Sequence, residues 1–432
     1  MTWLMNALLF LFLLVVMAAW VMLPWPGALA LALLLAAWLL LTRRGRQARS
    51  VAGVGISTLR QRLGASAVIV VGIAGVVGVL VALLAMAEGY SETLRNTGST
   101  DTAIVMRGAS AAEVASVLDR DSLTLIPQAA GVARDAKGEP IASSEIVVAA
   151  NLPMKGGGPD DEGSVQLRGV GDQAWAVRPQ VKIIAGRRFE PGLRELIVGR
   201  GAARQFAGLE PGREIRLGTQ QWKVAGVFAS GDAMESEIWG DASVVADTYR
   251  RGSSRASVTV RLSDPQAFGG FKTALEANPQ LKVDVSTTLD YFSQQSEKVT
   301  KVLRIIGITV GTIMAIGAMF GALNTMFAAV AARAREIATL RAIGFGSGPV
   351  VISVLAEGLI LAIPSALLGA AIAWLLFNGD AVVTGGLNIH MAVTTHEVLI
   401  ALGWALAIGI VGGFLPALRA ADMPVATALR AT

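Results

Sequence analysis

Apolar residues along this chain are grouped in long blocks rather than scattered among polar ones. Six apolar stretches are long enough, or nearly so, to cross a hydrocarbon core about 30 Å thick, which takes a helix of roughly 20 residues. The six stretches are Trp3–Leu23, Gly27–Thr42, Ala67–Ala87, Val302–Val330, Pro349–Phe377 and Val398–Leu418. The pattern predicts a polytopic α-helical membrane protein with about six transmembrane helices.

The first two stretches are predicted to form a transmembrane hairpin over residues 1–42, because Pro24 and Pro26 would stop the helix between them. A cleaved signal peptide is the alternative for the first 23 residues. That segment has no basic amino-terminal region, and no small-residue cleavage site precedes a polar segment. We therefore favour a retained hairpin.

Residues 43–65 are predicted to link the hairpin to a transmembrane helix over residues 66–88. Apolar residues recur at helical spacing from Ala52 to Leu63, and Arg60 and Arg62 lie on the other side. This pattern predicts an amphipathic helix on the membrane surface, with its arginines near anionic lipid head groups. A soluble linker helix is the alternative.

Residues 89–300 contain short apolar runs typical of the strands and helices of a mixed α/β domain, and glycine and proline separate these runs. Strands are predicted at Thr102–Met106, Glu145–Ala149, Ser164–Leu167, Glu195–Val198, Gln221–Val227 and Ser257–Leu262. Helices are predicted at Ala111–Leu118, Arg200–Phe206 and Pro265–Asn278. The fold class is therefore a membrane protein with a large α/β domain outside the bilayer.

The remaining segments complete a predicted order of domains. They are a transmembrane helix with an outer stalk at 301–330, a short basic helix at 331–348, two transmembrane helices at 349–418 and a tail at 419–432. In the basic helix, Ile337 and Leu340 are expected to pack against the membrane part. Its charged residues are expected to project: Arg333, Arg335, Glu336 and Arg341.

Composition and charge support the membrane assignment. The chain is 53% hydrophobic and 16% charged, whereas soluble domains are about 25% charged. Of the 37 Lys and Arg, 24 lie between Glu88 and Thr300, together with 27 of the 32 Asp and Glu, which leaves 13 basic and 5 acidic residues elsewhere. The large domain is thus mildly acidic, which argues against nucleic acid as a partner. The basic excess lies beside the apolar stretches, where it can contact membrane lipids.

The distribution of arginine predicts the orientation. Arginines are concentrated before the third stretch, between the fourth and fifth, and after the sixth, whereas Asn378–Glu397 has no Lys or Arg. The positive-inside rule then places both termini in the cytoplasm and the large domain on the opposite side of the membrane.

No catalytic residues and no metal site are predicted. The chain has no cysteine, and its two histidines, His390 and His396, have no evident third ligand. It contains neither a Gly-x-Ser-x-Gly sequence nor a Gly-x4-Gly-Lys-Ser/Thr sequence. We therefore expect no cofactor in this chain, and if ATP drives the protein, a partner binds the ATP and the Mg²⁺.

Three stretches carry a recognisable pattern. They are AGVGISTLRQRLGASAVIVVGIAGVVGVLVALLAMAEG (52–89), NTMFAAVAARAREIATLRAIGF (324–345, followed by LAEGL from Leu355) and GFLPALRAADMPVATALR (413–430). Together they resemble the MacB/FtsX-like ABC transporter permease family, and the middle stretch is the most specific. The hairpin at residues 1–42 departs from the four-helix pattern of that family.

The resemblance implies a bacterial inner-membrane permease that transmits mechanical force. A separate cytoplasmic ABC ATPase would hydrolyse ATP, and the periplasmic domain, made of a porter-like part and a smaller β-rich lobe, would move to export or extract a substrate. A homodimer or heterodimer of permeases and a periplasmic adaptor or membrane-fusion protein are the other implied partners. The alternatives are an FtsX-like signalling scaffold that activates a periplasmic cell-wall hydrolase and, less favoured, a membrane-bound enzyme.

Two groups of site residues follow. The resemblance implies that the basic helix is a coupling helix that contacts the ATPase through Arg333, Arg335, Glu336, Leu340 and Arg341, whereas a membrane-surface linker is the alternative. Small and polar residues in the spans predict close helix packing or dimer contacts at Gly72, Gly75, Gly317, Gly321 and Asn324. Packing within one protomer is the alternative for the glycines. For Asn324 and Glu357 we favour hydrogen bonds between helices over a proton or ion role.

Overall fold

The computed structural model of the chain describes residues 63–158, 161–378, 381–384 and 387–423, together with isolated positions between 37 and 53. Apart from those isolated positions, the predicted hairpin at residues 1–42 and the amphipathic helix before Leu63 lie outside the described residues. The chain divides into two units, which we call the helical unit and the sheet unit. The helical unit takes in Met1–Met86, Val302–Gly379 and Ala392–Thr432, and the sheet unit takes in Ala87–Lys301 and Asp380–Met391.

The described helices vary in length from one turn to twelve. They are α1 (Leu63–Thr97), α2 (Arg120–Leu125), α3 (Ala174–Val177), α4 (Arg200–Gln205), α5 (Ala242–Thr248), α6 (Ala267–Glu276), α7 (Thr288–Ala332), α8 (Ala334–Ala342), α9 (Ser347–Phe377) and α10 (Thr395–Asp422). The described strands are β1 (Thr102–Arg107), β2 (Ala142–Pro153), β3 (Glu162–Val170), β4 (Lys182–Gly186), β5 (Glu195–Gly199), β6 (Glu214–Leu217), β7 (Gln220–Ala229), β8 (Glu237–Asp241), β9 (Ser257–Arg261), β10 (Val283–Thr287), β11 (Ala381–Thr384) and β12 (Leu387–His390).

Four of the described helices, α1, α7, α9 and α10, are long and apolar enough to cross a membrane. They confirm the last four of the six predicted apolar stretches as long helices. Helix α7 is continuous over 45 residues, which at the usual rise per residue is about 67 Å. It is therefore far longer than a hydrocarbon core of about 30 Å requires.

Backbone contacts at glycine bring the long helices of the helical unit together. A Cβ atom added to Gly358 of α9 would lie 2.6 Å from the carbonyl oxygen of Gly409 on α10. A Cβ atom added to Gly369 of α9 would lie 2.4 Å from the carbonyl oxygen of Ala74 on α1. Close approach of this kind gives membrane helices the van der Waals contact that holds them together in lipid, where burial of apolar surface contributes little.

Ten strands of the sheet unit form one sheet in the order β10-β1-β9-β2-β3-β8-β5-β7-β4, and β6 also pairs with β7. The pairs β3–β8 and β5–β7 are parallel, and the other pairs of this sheet are antiparallel. Strand β2 pairs with β9 over Ala142–Glu145 and with β3 over Ile146–Pro153. The sheet therefore has two halves joined by one strand: a first lobe of β10, β1 and β9, and a second lobe from β3 to β4.

Each lobe has its own apolar core. In the first lobe, residues of β1, β9 and β10, such as Val105 and Val260, pack with Phe271 of α6. In the second lobe, residues such as Leu167 of β3 and Trp222 of β7 pack with α4 and α5. Strand β7 shows the expected alternation of buried and exposed residues, whereas the central strand β5 is buried throughout.

Most predicted elements of this domain are confirmed, and one is wrong. The six predicted strands correspond to β1, β2, β3, β5, β7 and β9, although the last was predicted one residue too long, and two of the predicted helices correspond to α4 and α6. The helix predicted at Ala111–Leu118 is a single 3₁₀ turn, Glu113–Ala115. Tertiary contacts override the helical pattern there, because the Glu113 carboxylate is bound in the sheet unit and the Leu118 N–H donates to the carbonyl of Arg255.

We expect Gly409→Ala to lower the free energy of unfolding by about 1–3 kcal/mol, as overpacking usually does. The added Cβ would lie 2.9 Å from the carbonyl oxygen of Gly358, so α9 and α10 must move apart. Thermal unfolding of the full chain in detergent measures the change. Gly403→Ala on the same helix is the control, since its Cβ meets no described atom within 4 Å. Equal melting temperatures for the two variants would contradict this packing.

Candidate functional site

The basic segment after α7 forms a separate helix with defined ends. Arg333, with φ −107° and ψ 10°, interrupts the helix between α7 and α8. At the other end Gly344 has φ +101°, a conformation that favours glycine. The Gly344 N–H donates to the carbonyl of Arg341, and the Phe345 N–H donates to that of Leu340. This pair of bonds is the Schellman motif that ends many helices.

Arg333 does not project from this segment, so that part of the prediction is wrong. Its side chain is buried and forms an ion pair with Glu357 of α9, which is also buried. Its Nε atom donates to Oε2 of Glu336 at 3.2 Å. An isolated charge inside a helical membrane unit is costly, so the two buried charges pair with each other. Arg333 thereby fixes the start of α8 to α9.

Two further residues of the predicted coupling set also contact the helical unit. Nη1 of Arg341 donates to the carbonyl oxygen of Met423 at 2.5 Å, and Leu340 is half-buried. Arg335 and Glu336 are exposed, as is Ile343, whose side chain is 70% exposed. The exposed surface of α8 and the turn after it therefore includes Arg335, Ile343 and Glu336, whose carboxylate also accepts from Arg333.

The five predicted packing positions lie on open surfaces of α1 and α7. A Cβ atom added to Gly72, Gly75, Gly317 or Gly321 would have no described atom within 4 Å. Asn324 is exposed on α7. Close contacts between described helices are made by other glycines, among them Gly358, Gly369 and Gly409, which the sequence did not single out.

The sheet unit contains a buried charge cluster that sequence reasoning missed. Arg168, 2% exposed, donates all five of its N–H groups to three carboxylates. Its Nε and Nη2 atoms lie 2.7 and 2.8 Å from the two oxygens of Glu237. Its Nη1 and Nη2 atoms lie 2.9 and 3.0 Å from the two oxygens of Glu113. Nη1 also lies 2.8 Å from Oε2 of Glu145. Charge-assisted bonds of this kind are among the strongest in proteins.

Other side chains donate to the same carboxylates. Arg178 donates to Glu145 within an ion pair. Trp239 Nε1 donates to Glu237 at 2.8 Å, and Ser257 Oγ donates to Glu113 at 2.6 Å. Burial alone would lower the pKa of Arg168, but the carboxylates of Glu113, Glu237 and Glu145 hold that pKa well above the usual value. The cluster, which we call the Arg168 cluster, has three carboxylates and two guanidinium groups and so a net charge of −1.

The Arg168 cluster lies where the two lobes meet. Glu113 follows β1, Glu145 is the last residue of β2 that pairs with β9, Arg168 is on β3, and Glu237 begins β8. Arg168 lies in an alternating run, Val165-Gln-Leu-Arg168-Gly-Val170, on the same side of the strand as the polar Gln166. This pattern predicts an exposed arginine, so it indicates neither the burial of Arg168 nor its partners.

Sequence comparisons match two families over most of the chain. Residues 66–278 match the MacB-like periplasmic core domain, and residues 308–425 match the FtsX-like permease C-terminal domain. Similar proteins include macrolide export ATP-binding/permease proteins MacB. That of Neisseria gonorrhoeae is 26% identical over 66% of this chain and 47% of its own length. That of Shewanella oneidensis is 25% identical over 50% of this chain and 34% of its own length. The chain thus spans less than half the length of either relative.

Structure comparisons match the extramembrane parts of two transporters. The periplasmic region of MacB from Actinobacillus actinomycetemcomitans matches with a TM-score of 0.36 and 17% identity, over 48% of this chain and 96% of that one. The extracellular domain of the noncanonic ABC-type transporter YknZ from Gram-positive bacteria matches with a TM-score of 0.34 and 14% identity, over 43% of this chain and 100% of that one.

We expect Arg168→Met to destabilise the protein by about 3–5 kcal/mol, because it leaves three carboxylates buried without their shared cation. Burial opposes ionisation of Glu145, yet Arg178 and Arg168 lower its pKa. A lowered pKa stabilises the fold above the unfolded-state pKa, and that stabilisation is lost as the pH falls through the folded-state value. The unfolding temperature of the full chain in detergent, measured from neutral to acidic pH, tests both effects.

Arg216→Met, on the exposed face of β6, is the matched control. We expect it to have a nearly unchanged melting temperature and the same acid sensitivity as the wild type. The Arg168→Met melting temperature should instead rise as the pH falls from neutral, because protonation relieves the unpaired carboxylates. A loss of stability no greater than that of Arg216→Met would refute the role of the cluster.

Proposed function

We propose that this chain, which belongs to the MacB/FtsX-like family of ABC transporter permeases, converts ATP hydrolysis by a partner into movement of its extracytoplasmic domain. The observation that carries the proposal is the continuity of α7. This helix begins at Thr288 in the sheet unit, continues through an apolar span, and ends at Ala332 beside α8. A single helix of about 67 Å can transmit a displacement along its length, because its hydrogen-bonded backbone resists bending.

The motor of this proposal is a separate ABC ATPase. The 432 residues contain no Gly-x4-Gly-Lys-Ser/Thr sequence, which binds nucleotide phosphates in such ATPases. We therefore assign the ATP and Mg²⁺ to the partner and a non-catalytic role to this chain. The MacB relatives are described as ATP-binding/permease proteins, and this chain matches less than half of their length.

The partner ATPase is proposed to dock on the free surface of α8, formed by Arg335, Glu336 and Ile343. The buried ion pair between Arg333 and Glu357 ties α8 to α9, and the bond from Arg341 ties it to the end of α10. A displacement of α8 would therefore be transmitted to α7, which precedes it in the chain, and to α9 and α10. This division gives Arg333 and Arg341 a positioning role and leaves Arg335 for contact, together with the exposed part of Glu336, which also pairs with Arg333.

Dimerisation with a second permease chain is proposed to use the open glycine surfaces of α1 and α7. Gly72, Gly75, Gly317 and Gly321 leave space for another helix, and Asn324 adds a polar contact. We further propose that the protein lies in a bacterial inner membrane with both termini in the cytoplasm. A periplasmic adaptor would then receive or position the substrate that the extracytoplasmic domain expels or extracts.

The interior of the helical unit favours domain movement over a hydrophilic path between the helices. Its buried polar residues, among those described, are few: Arg333, Ser353, Glu357, Ser365 and Glu397. The same observation is compatible with a second function, in which the moving domain activates a cell-wall hydrolase instead of moving a substrate. Proteins that co-purify with the chain distinguish the two: an ATPase with an adaptor indicates export, and an ATPase with a hydrolase indicates signalling.

The proposed orientation predicts which engineered cysteines an impermeant thiol reagent can label in intact cells. The chain has no cysteine of its own, so each variant carries one thiol. Lys137→Cys, exposed in the sheet unit, should label from outside, whereas Ser347→Cys, exposed at the start of α9, should label only after the membrane is permeabilised. Labelling of Ser347→Cys in intact cells would reverse the orientation and rule out ATPase docking at α8.

We expect Glu336→Lys to abolish co-purification of the ATPase while leaving the chain inserted in the membrane. Like charges brought together at an interface cost several kcal/mol, which weakens docking by orders of magnitude. An added positive charge in a cytoplasmic loop agrees with the positive-inside rule, so insertion should persist. Affinity purification in mild detergent, followed by identification of the bound chains, measures the loss.

Glu297→Lys makes the same substitution at an exposed position in the outer part of α7. This control should retain the ATPase. If Glu336→Lys also retains its ATPase and supports full function, α8 is a membrane-surface linker rather than a coupling helix.

A further inference from the structure

The sheet unit contains a cavity of about 660 Å³ that the proposed function leaves unexplained. Its walls come from the end of α1, the start of α7, and strands β2, β3 and β8. Small-molecule sites in proteins commonly enclose about 300–1,000 Å³. The cavity is therefore large enough for a small organic ligand.

The charges that line the cavity are those of Glu113, Arg168 and Glu237. Every N–H group of Arg168 is already donated to a carboxylate, so this guanidinium has no donor left for an anionic ligand. Behind this wall, Glu145 and Arg178 form an ion pair and cancel each other. One negative charge remains, and such a charge away from bulk water favours binding of a cation.

Aromatic rings cover another side of the cavity. Tyr90, Tyr291 and Phe292 line it, and the last two rings pack edge to face with centroids 5.1 Å apart. The faces of aromatic rings attract ammonium groups, and several rings around one cavity are typical of sites for alkylated ammonium groups. Burial, followed by the nearby Glu113 carboxylate, raises the pKa of Tyr291, so its hydroxyl remains neutral.

We propose that this cavity binds an organic cation, an alkylated ammonium group on an apolar body. The ammonium group would lie against the Glu113 and Glu237 carboxylates and the three aromatic rings. Leu94 and the partly exposed Val114 supply apolar surface for the rest of the ligand. The site belongs to the sheet unit, so its occupation requires neither the ATPase nor the coupling contact.

A bare metal ion fits this cavity less well. The described residues contain no group of three or more His, Cys, Asp or Glu side chains arranged to hold a metal. Both lining carboxylates also use oxygen lone pairs to accept from Arg168. Aromatic walls add attraction for an organic cation and supply no ligand to a metal.

The test is direct binding to the full chain in a non-ionic detergent, by equilibrium dialysis. The probes are benzyltrimethylammonium, its neutral isostere neopentylbenzene, and the anion benzenesulfonate. We expect saturable binding of the cation, and binding at least tenfold weaker for the other two probes. Absence of saturable cation binding, or equal binding of the neutral probe, would overturn the proposal.

Neighbouring glutamines on α7 provide matched variants. Gln295 lines the cavity, whereas Gln294 is exposed and does not. Gln295→Lys introduces a competing ammonium group and should weaken binding of benzyltrimethylammonium at least tenfold. Gln295→Met, of similar size but neutral, and Gln294→Lys should both bind as the wild type does. Equal binding by Gln295→Lys and Gln294→Lys would place the ligand elsewhere.

A second pair of variants tests the location by size instead of charge. Ala149 and Asn151 are both exposed on β2 and point to the same side of the strand, but only Ala149 lines the cavity. Ala149→Trp should fill the cavity and abolish binding, whereas Asn151→Trp should not. Because none of these variants touches α8, loss of ligand binding with retained ATPase association separates this proposal from the proposed function.

Discussion

A single buried guanidinium, that of Arg168, joins the two lobes of the sheet unit. The lobes share only strand β2, and the three carboxylates around Arg168 come from both sides of that strand. The guanidinium neutralises carboxylates that would otherwise be costly to bury. The three carboxylates in turn accept all five of its N–H groups. The cluster also holds the segment after β1 in place through Glu113. The negative charge left over in this arrangement faces the cavity.

Buried charges are also paired in the helical unit, but there are fewer of them. Arg333 and Glu357 neutralise each other, and the contacts among α1, α9 and α10 depend on glycines that leave room for backbone approach. The glycines of α1 and α7 that make no described contact lie on open surfaces instead. Small residues in this chain thus belong to two classes, those that close intrachain contacts and those that remain available to another molecule.

The sequence predicted what depends on local pattern and missed what depends on distant partners. Apolar length was enough to find α1, α7, α9 and α10, and short apolar or alternating runs between turns were enough to find six strands. The partners of Arg168 lie 23 to 69 residues away along the chain, so no local periodicity reveals them. The same limit explains Arg333, since helical spacing could not show that Glu357 neutralises it. It also explains why the sequence singled out Gly72 and not Gly409, whose close contact is on another helix.

The ion pair between Arg333 and Glu357 has a consequence for biosynthesis. Glu357 lies 24 residues after Arg333, so the arginine leaves the ribosome before its buried partner does. Until α9 emerges, an unneutralised guanidinium at the end of α7 favours the membrane surface, where it resists being drawn across with the apolar span. In the proposed orientation, Arg333 would act first by retaining the nascent chain at the membrane surface and then, once α9 is in place, by fixing the finished helices to each other.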